Sequence, residues 1–484
     1  MRLQIVFRYL GFVLILNALG MLFAAGVSLY YRDEALYILL YSAMIALLFG
    51  VFPLLFVPRP GQISNTEGLM IVVASWLLSC LLGTLPYILW GGEFNFSNAW
   101  FESVSGYTTT GSTILTDIEA LPRGLLFWRA VTHLLGGMGI IVFALSVIPF
   151  MGEGMKVLYQ SEMSSLAMDN FDQRARESVR ILAKVYIGLT LLQTAALMLC
   201  GLDLFDALTH AFATIATGGF SPKNASIAYY NSVAVETVVM FFMIVSGIHF
   251  ALLFAAISGR FKNLWRSPFV RYYLLAQFFG ILIVAIDLRS GDYNSFSEAL
   301  RYGAFQLLSV GTSTGFATAD SAVWPPLSQL LLIFFSLQCA CAGSTSGGIK
   351  ADRIVITAKA VWRQLLQLLH PRGVIPFTLQ NRSISRDVAE NSVLYIVFYL
   401  FIVLTSTLLL IALGTNSLEA FSGTVAAIGN VGPGLGRVGS TGNFNHISIA
   451  GKWILSATML LGRLEIYALV MFFIPRQWRG YSGL

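Results

Sequence analysis

Charge is what this sequence has least of. Only 11% of its 484 residues are Asp, Glu, Lys or Arg, where an ordinary soluble domain carries about a quarter, and 56% are hydrophobic. That composition excludes a water-soluble protein of this length and leaves a polytopic membrane protein. Cysteine is scarce too: Cys80, Cys200, Cys339 and Cys341 all lie inside apolar segments, where a thiol behaves as a small hydrophobe. Neither a disulfide framework nor a zinc site is expected. The five histidines, His133, His210, His249, His370 and His446, are scattered along the chain. They make no metal-ligand cluster and no nucleophile-base constellation, so the sequence does not read as an enzyme.

What it has instead is long apolar runs of roughly 20 residues, the length that crosses ~30 Å of hydrocarbon. They recur from end to end, for example at 68–90, 233–257 and 388–413, with no room for a soluble domain between them. The N-terminus has the basic start of a signal peptide, but its apolar run is too long for one. It reads as a first spanning helix at 7–29, followed by a second at 36–57. Lys and Arg cluster at 174–184, 260–271 and 350–386 and at Arg476 and Arg479. Because such clusters stay on the cytoplasmic side, those segments and both termini face inward. The net charge of +6 is therefore topology, and no nucleic-acid partner is implied.

Four stretches of the chain are versions of one another, and internal repeats decide architecture. They are NAWFESVSGYTTTGS from Asn98, DALTHAFATIATGGF from Asp206, GAFQLLSVGTSTGF from Gly303 and EAFSGTVAAIGNVGP from Glu419. In each an alanine (Ala99, Ala207, Ala304, Ala420) precedes a glycine (Gly111, Gly218, Gly315, Gly432) by 12, 11, 11 and 12 residues respectively. Each stretch lies between two apolar runs. The second run carries an echo of its own: LLGGMGI at 134–140, IVSGIHF at 244–250, CAGSTSGGIK at 341–350 and LLGRLEI at 460–466. The unit is thus span, short re-entrant segment, span. Two crossings return the chain to its starting side, so all four polar segments open on the outer face. The expected fold class is an all-α polytopic membrane protein of about ten spans. Two N-terminal transmembrane helices (1–66) precede four parallel pore repeats in pseudo-fourfold arrangement, at 67–150, 175–260, 268–372 and 385–475.

In hydrocarbon an unpaired backbone group costs several kcal/mol, so non-helical chain survives only inside protein or along a water-filled cavity. The dozen or so residues before each glycine suit a half-helix whose C-terminus carries roughly half a negative charge. Beyond it, glycine allows the dihedrals that turn carbonyls inward, and rings of carbonyls replace an ion's hydration shell. Thr110, Thr217, Thr314 and Val431 stand beside the glycines and none is acidic. A filter for a divalent ion would use a ring of Asp or Glu, so the chemistry suits a weakly hydrated monovalent cation. Kinks or surface loops of another transporter are the alternative for any one segment, but four in register argue against it.

On these residues the chain resembles the Trk/Ktr/HKT superfamily of potassium transporters, and within it the bacterial Trk membrane-subunit branch, over essentially its whole length. The resemblance implies potassium passage at the filter glycines Gly111, Gly218, Gly315 and Gly432, with Thr110, Thr217, Thr314 and Val431 beside them. A serine at the first of these positions accompanies sodium preference in some plant members, and here it is glycine. The fourth repeat departs from the pattern with GNVGPG. The resemblance further implies an intramembrane gate at Gly343, Ser344, Thr345, Ser346, Gly347 and Gly348, where the span 326–342 breaks. It places Arg463 in the permeation path below. The other reading of Arg463 is a pairing with Glu465 or a neighbouring carbonyl. Also implied are K+ as the bound and transported ion, a homodimer in membrane lipid, a bacterial inner membrane location and a separate cytosolic nucleotide-binding subunit resembling TrkA. No nucleotide is expected in this chain itself.

Two motifs imitate nucleotide loops. GLGRVG at 434–439 has the spacing of a dinucleotide fingerprint, and GSTSGGIK at 343–350 looks like a phosphate loop, but neither follows a strand or opens a helix in a βαβ unit. His133 and His249 read as packing residues or proton carriers. Glu102 either tunes the pore mouth or satisfies backbone donors. Against potassium uptake stand a sodium-conducting or proton-coupled transporter and a secondary transporter of an organic solute. The latter commonly shows inverted repeats, whereas these are parallel.

Overall fold

In the computed structural model the described residues are 2–58, 65–147, 171–289, 293, 295–373, 375–379, 382–383 and 386–473. Arg476, Arg479 and the repeat ends at 148–150 and 474–475 lie outside them. The described chain is helical apart from one short hairpin, Thr378–Leu379 against Arg382–Ser383, and an isolated bridge between Gln338 and Ile349. It is a multi-pass membrane protein by its helices. Among the described residues six helices are long and apolar enough to cross unaided: Leu3–Tyr31, Leu36–Phe56, Glu67–Trp90, Arg180–Leu199, Pro268–Arg289 and Asp387–Ala412.

The first two form a pair that docks on the first repeat. Buried Asn17 donates to Ser79 Oγ at 3.0 Å and accepts from Tyr107 Oη, which ties the N-terminal helix to the end of the first pore helix. The outer helices of the second, third and fourth repeats expose an apolar stripe, whereas that of the first is covered by the N-terminal helix. In Arg386–Ala412, Leu394, Val397, Phe401, Leu404 and Leu408 are exposed while Tyr395, Tyr399, Val403 and Leu410 are buried, a split at helical spacing.

The four pore helices are Phe96–Tyr107, Leu204–Ile215, Phe296–Gly311 and Ser417–Ile428. Each begins on a capping side chain: Asn95 accepts from Asn98 N, Asp203 from Asp206 N, Ser295 from Glu298 N and Asn416 from Leu418 N. Such a cap contributes about 1 kcal/mol and starts the half-helix at a defined depth. Three pore helices have 12 residues and the third has 16. That extra turn lies at its N-terminal end.

The inner helices depart from plain spans. In the second repeat Val233–Ser246 and Phe250–Ile257 meet at a 105° bend, so the run 233–257 is not one straight helix. In the third, helix Pro326–Leu337 stops short of the expected 342, because Gln338 and Cys339 pair with the far side of the loop instead. Cys339 N donates to Ile349 O at 3.1 Å and Ile349 N to Leu337 O at 2.9 Å. The chain resumes as Ala351–Leu369. In the fourth, Ile449–Arg463 and Tyr467–Phe472 are separated by Glu465 and Ile466 at positive φ. Each repeat's inner helix packs on the next repeat's pore helix, and the fourth packs on the first, which closes the cycle.

Candidate ion filter and gate

At the end of each pore helix the chain repeats one backbone pattern. A residue in the left-handed region is followed, two positions on, by a left-handed glycine: Thr109 and Gly111, Thr217 and Gly219, Ser313 and Gly315, Asn430 and Gly432. The residue between them donates its N–H back into the helix end, from Thr110 to Ser105 O, Gly218 to Ala213 O, Thr314 to Ser309 O and Val431 to Ala426 O. The second repeat therefore sits one residue off the register read from the sequence. Its ring glycine is Gly219, and Gly218 takes the place of Thr110, Thr314 and Val431, while Thr217 matches Thr109. The Gly218-Gly219 pair offered two alignments, and spacing could not choose between them. In the third repeat the residue matching Ala99 is Gly303, not Ala304, by the same register.

The four segments close into a ring. A Cβ built on Gly111 would lie 2.0 Å from the carbonyl oxygen of Gly218, on Gly219 2.2 Å from that of Thr314, on Gly315 2.1 Å from that of Val431, and on Gly432 2.6 Å from that of Thr110. Each left-handed glycine thus abuts the carbonyl of the next repeat. The four backbone carbonyls met in this way are those of Thr110, Gly218, Thr314 and Val431.

The segments are held from behind by different means. In the first and third, hydroxyl pairs join Thr108 to Thr110 at 2.7 Å and Thr312 to Thr314 at 2.8 Å. In the fourth, Asn430 Nδ2 donates to Thr110 Oγ1 and to Met459 O, both at 3.0 Å, and so fastens the last repeat to the first. The GNVGPG departure keeps the backbone pattern and changes only this brace. Glu102 is buried and ion-paired with Arg129 at 2.9 Å. It also accepts from Thr113 Oγ1 at 2.9 Å and from Ile114 N at 3.1 Å, so it satisfies a backbone donor. Arg129 reaches Ser221 O at 3.3 Å and lies over the Phe220 ring, 4.0 Å from its centroid, bridging the first and second segments. Nothing in the sequence singled out Arg129 or Asn430; Glu102, a carboxylate in a pore helix, was the available hint of a buried cationic partner. Removing one member of a buried ion pair strands the other and costs about 3–5 kcal/mol. Glu102→Ala is accordingly expected to lower the unfolding temperature of the detergent-purified protein by several degrees. An unchanged midpoint would rule out the bracing role.

The loop Gly343, Ser344, Thr345, Ser346, Gly347 and Gly348 lies against the inner ends of the filter segments. Thr345 Oγ1 donates to Ile215 O at 2.9 Å, Ser346 Oγ bonds Ser313 Oγ at 2.9 Å, and Gly347 N donates to Ser313 Oγ at 2.9 Å. A Cβ on Gly347 would sit 2.3 Å from Gly429 O. The loop therefore touches the second, third and fourth repeats together. At its first end Gly343 O accepts from Phe250 N at 3.1 Å and the His249 ring packs on Gly343. At the other end Lys350 Nζ donates to Ser346 O. Arg463 is buried and spans the cycle, donating to Thr345 O at 2.6 Å and to Gly136 O of the first repeat at 3.2 Å. Of the two partners that the pairing reading named, it meets neighbouring carbonyls, while Glu465 pairs with Arg353.

The two nucleotide-like stretches fall elsewhere in the scheme. Residues 434–439 form a turn behind the fourth segment, with Gly434 N donating to Val438 O at 2.7 Å, and 343–350 is the loop just described.

Comparison with known proteins agrees with this architecture. Residues 40–479 match the TrkH family of cation transport proteins. The potassium uptake protein TrkH of Escherichia coli K12 is 37% identical, over 99% of this chain and 100% of the relative. TrkG of the same organism is 32% identical, over 98% and 99%. The crystal structure of the potassium transporter TrkH from Vibrio parahaemolyticus superposes with a TM-score of 0.91 at 33% identity, covering 99% of this chain and 100% of that one. These relatives are transporters and not enzymes. The chain is a member of the TrkH family of cation transport proteins.

Proposed function

We propose that this chain carries potassium ions into the cell through the ring of carbonyls of Thr110, Gly218, Thr314 and Val431, with Gly111, Gly219, Gly315 and Gly432 giving those carbonyls room. The observation that carries the reading is the closed succession in which a Cβ placed on each of these glycines would meet a carbonyl oxygen of the next repeat at 2.0 to 2.6 Å. Four uncharged backbone oxygens, one from each repeat, suit a dehydrated monovalent cation. The names of the relatives, potassium uptake proteins of the Trk system, support potassium as that cation. Glycine at all four ring positions speaks against the sodium-preferring alternative. The segment 343–348 and Arg463 act as the gate, since both lie directly inward of the ring. The pore repeats at 67–150, 175–260, 268–372 and 385–475 are the quarters of this pathway.

In the same reading the protein sits in the inner membrane with both termini cytoplasmic, works as a homodimer, and is regulated by a cytosolic nucleotide-binding subunit like TrkA that docks on the basic inner loops. The relatives' designation as a system supports partners of this kind. Expression in a cell deprived of its own potassium uptake systems should restore growth at low potassium, with and without the cytosolic partner co-expressed to read its contribution. Absence of rescue by a membrane-inserted protein in either background would overturn the potassium assignment.

A further inference from the structure

Three of the four residues whose carbonyls form the ring carry a side chain: Thr110, Thr314 and Val431. The fourth, Gly218, has none, and its backbone is not among the left-handed glycines, so glycine is not there for its dihedral. The space beside it is filled. A Cβ on Gly218 would fall 1.7 Å from Nδ1, 2.3 Å from Cε1 and 2.6 Å from Cγ of His133. That imidazole belongs to the inner helix of the first repeat, Arg123–Val147. It is fully buried and stacks on Phe220 with ring centroids 4.3 Å apart. Neither ring nitrogen has a hydrogen-bond partner. The segment also lacks the hydroxyl pair of its neighbours, since Ala216 stands where Thr108 and Thr312 do.

We propose that His133 supplies from the first repeat the side chain that the second filter segment lacks, and that its ring, by volume, positions the Gly218 carbonyl and thereby the selectivity of the whole filter. His133 is a positioning residue: it acts through Gly218 and not on the ion. The inference rests on the filter reading above. Close-packed interiors lose contacts outright when a neighbour is removed, and a carbonyl freed to move by a fraction of an ångström no longer matches one ion size.

The test is compensation between the two positions in proteoliposomes, read as the ratio of potassium to sodium flux. His133→Ala should lower that ratio roughly tenfold, the scale of effect expected when a functional group loses its supporting shell. Gly218→Thr alone should nearly abolish flux, because the new side chain and the ring occupy one volume. The combined variant should recover both flux and ratio toward the parent, since threonine is what two of the other segments carry. A combined variant no better than Gly218→Thr overturns the proposal. So does an unchanged ratio in His133→Ala alongside a lowered one in Gly219→Ala, a result that would leave the filter reading standing. An unchanged ratio in both variants would instead sink the filter reading. Where a single variant does not fold, the yield of monodisperse protein reads the same compensation: recovery in the combined variant supports the proposal and equal loss refutes it.

Discussion

Serine at Gly111, Gly219, Gly315 or Gly432 is expected to cut the ratio of potassium to sodium flux by about tenfold or more, the scale of a misplaced functional group. Two costs coincide at each position. The backbone is left-handed, with φ between 81° and 102°, where a side chain adds about 1–3 kcal/mol of strain. The new Cβ would also lie 2.0 to 2.6 Å from a backbone carbonyl of the next repeat, an atom that cannot swing aside like the end of a flexible side chain. The ring must open, and its oxygens then suit a smaller or still hydrated ion. The mildest effect is expected at Gly432, where the approach is 2.6 Å, and the strongest at Gly111, where it is 2.0 Å. Liposome flux with each ion in turn measures the ratio; equal ratios for all four variants and the parent would refute the carbonyl filter.

Arg463→Ala should raise basal potassium flux by roughly tenfold or more. A cation about 4 Å from the guanidinium is repelled by about 4 kcal/mol at an effective dielectric near 20, enough on its own for such a change. The substitution also leaves Thr345 O and Gly136 O without their donor. Thr345 lies within the loop 343–348, so if that loop and Arg463 are the proposed gate, the same change would loosen both its electrostatic and its steric part. Arg463→Lys keeps the charge but not the two-armed reach, and should fall between. A drop in flux from Arg463→Ala protein that folds normally would count against the gate.

Much of this was legible before any coordinates. Glycine and hydroxyl clusters in an otherwise apolar chain have few places to go in a membrane, so four in register already indicated a pore. The echo in the second spans was informative too. Gly136, Gly347 and Gly462 each lie so close to a pore-helix end that a Cβ would meet the carbonyl of Tyr107, Gly429 or Ile428 at 1.9 to 2.3 Å. The bend after Ser246 and the early stop at Leu337 were not legible, because hydropathy records whether a residue tolerates lipid and not whether its helix runs straight.

The sequence by itself determined that the protein lives in a membrane, that its chain is built from four like-oriented units behind two plain helices, and that each unit ends a half-helix at a glycine. Periodicity and composition suffice for these, since they depend on what neighbouring residues can bury. Only the tertiary structure decided which glycine of the Gly218-Gly219 pair faces the next repeat, that Asn430 binds Thr110 across 320 residues, and that Arg129 and His133 pack against a segment belonging to another repeat. Those choices depend on volumes and donors that meet only when the ring closes. A one-residue shift in register that is silent in the sequence then changes which carbonyl the next repeat's glycine meets.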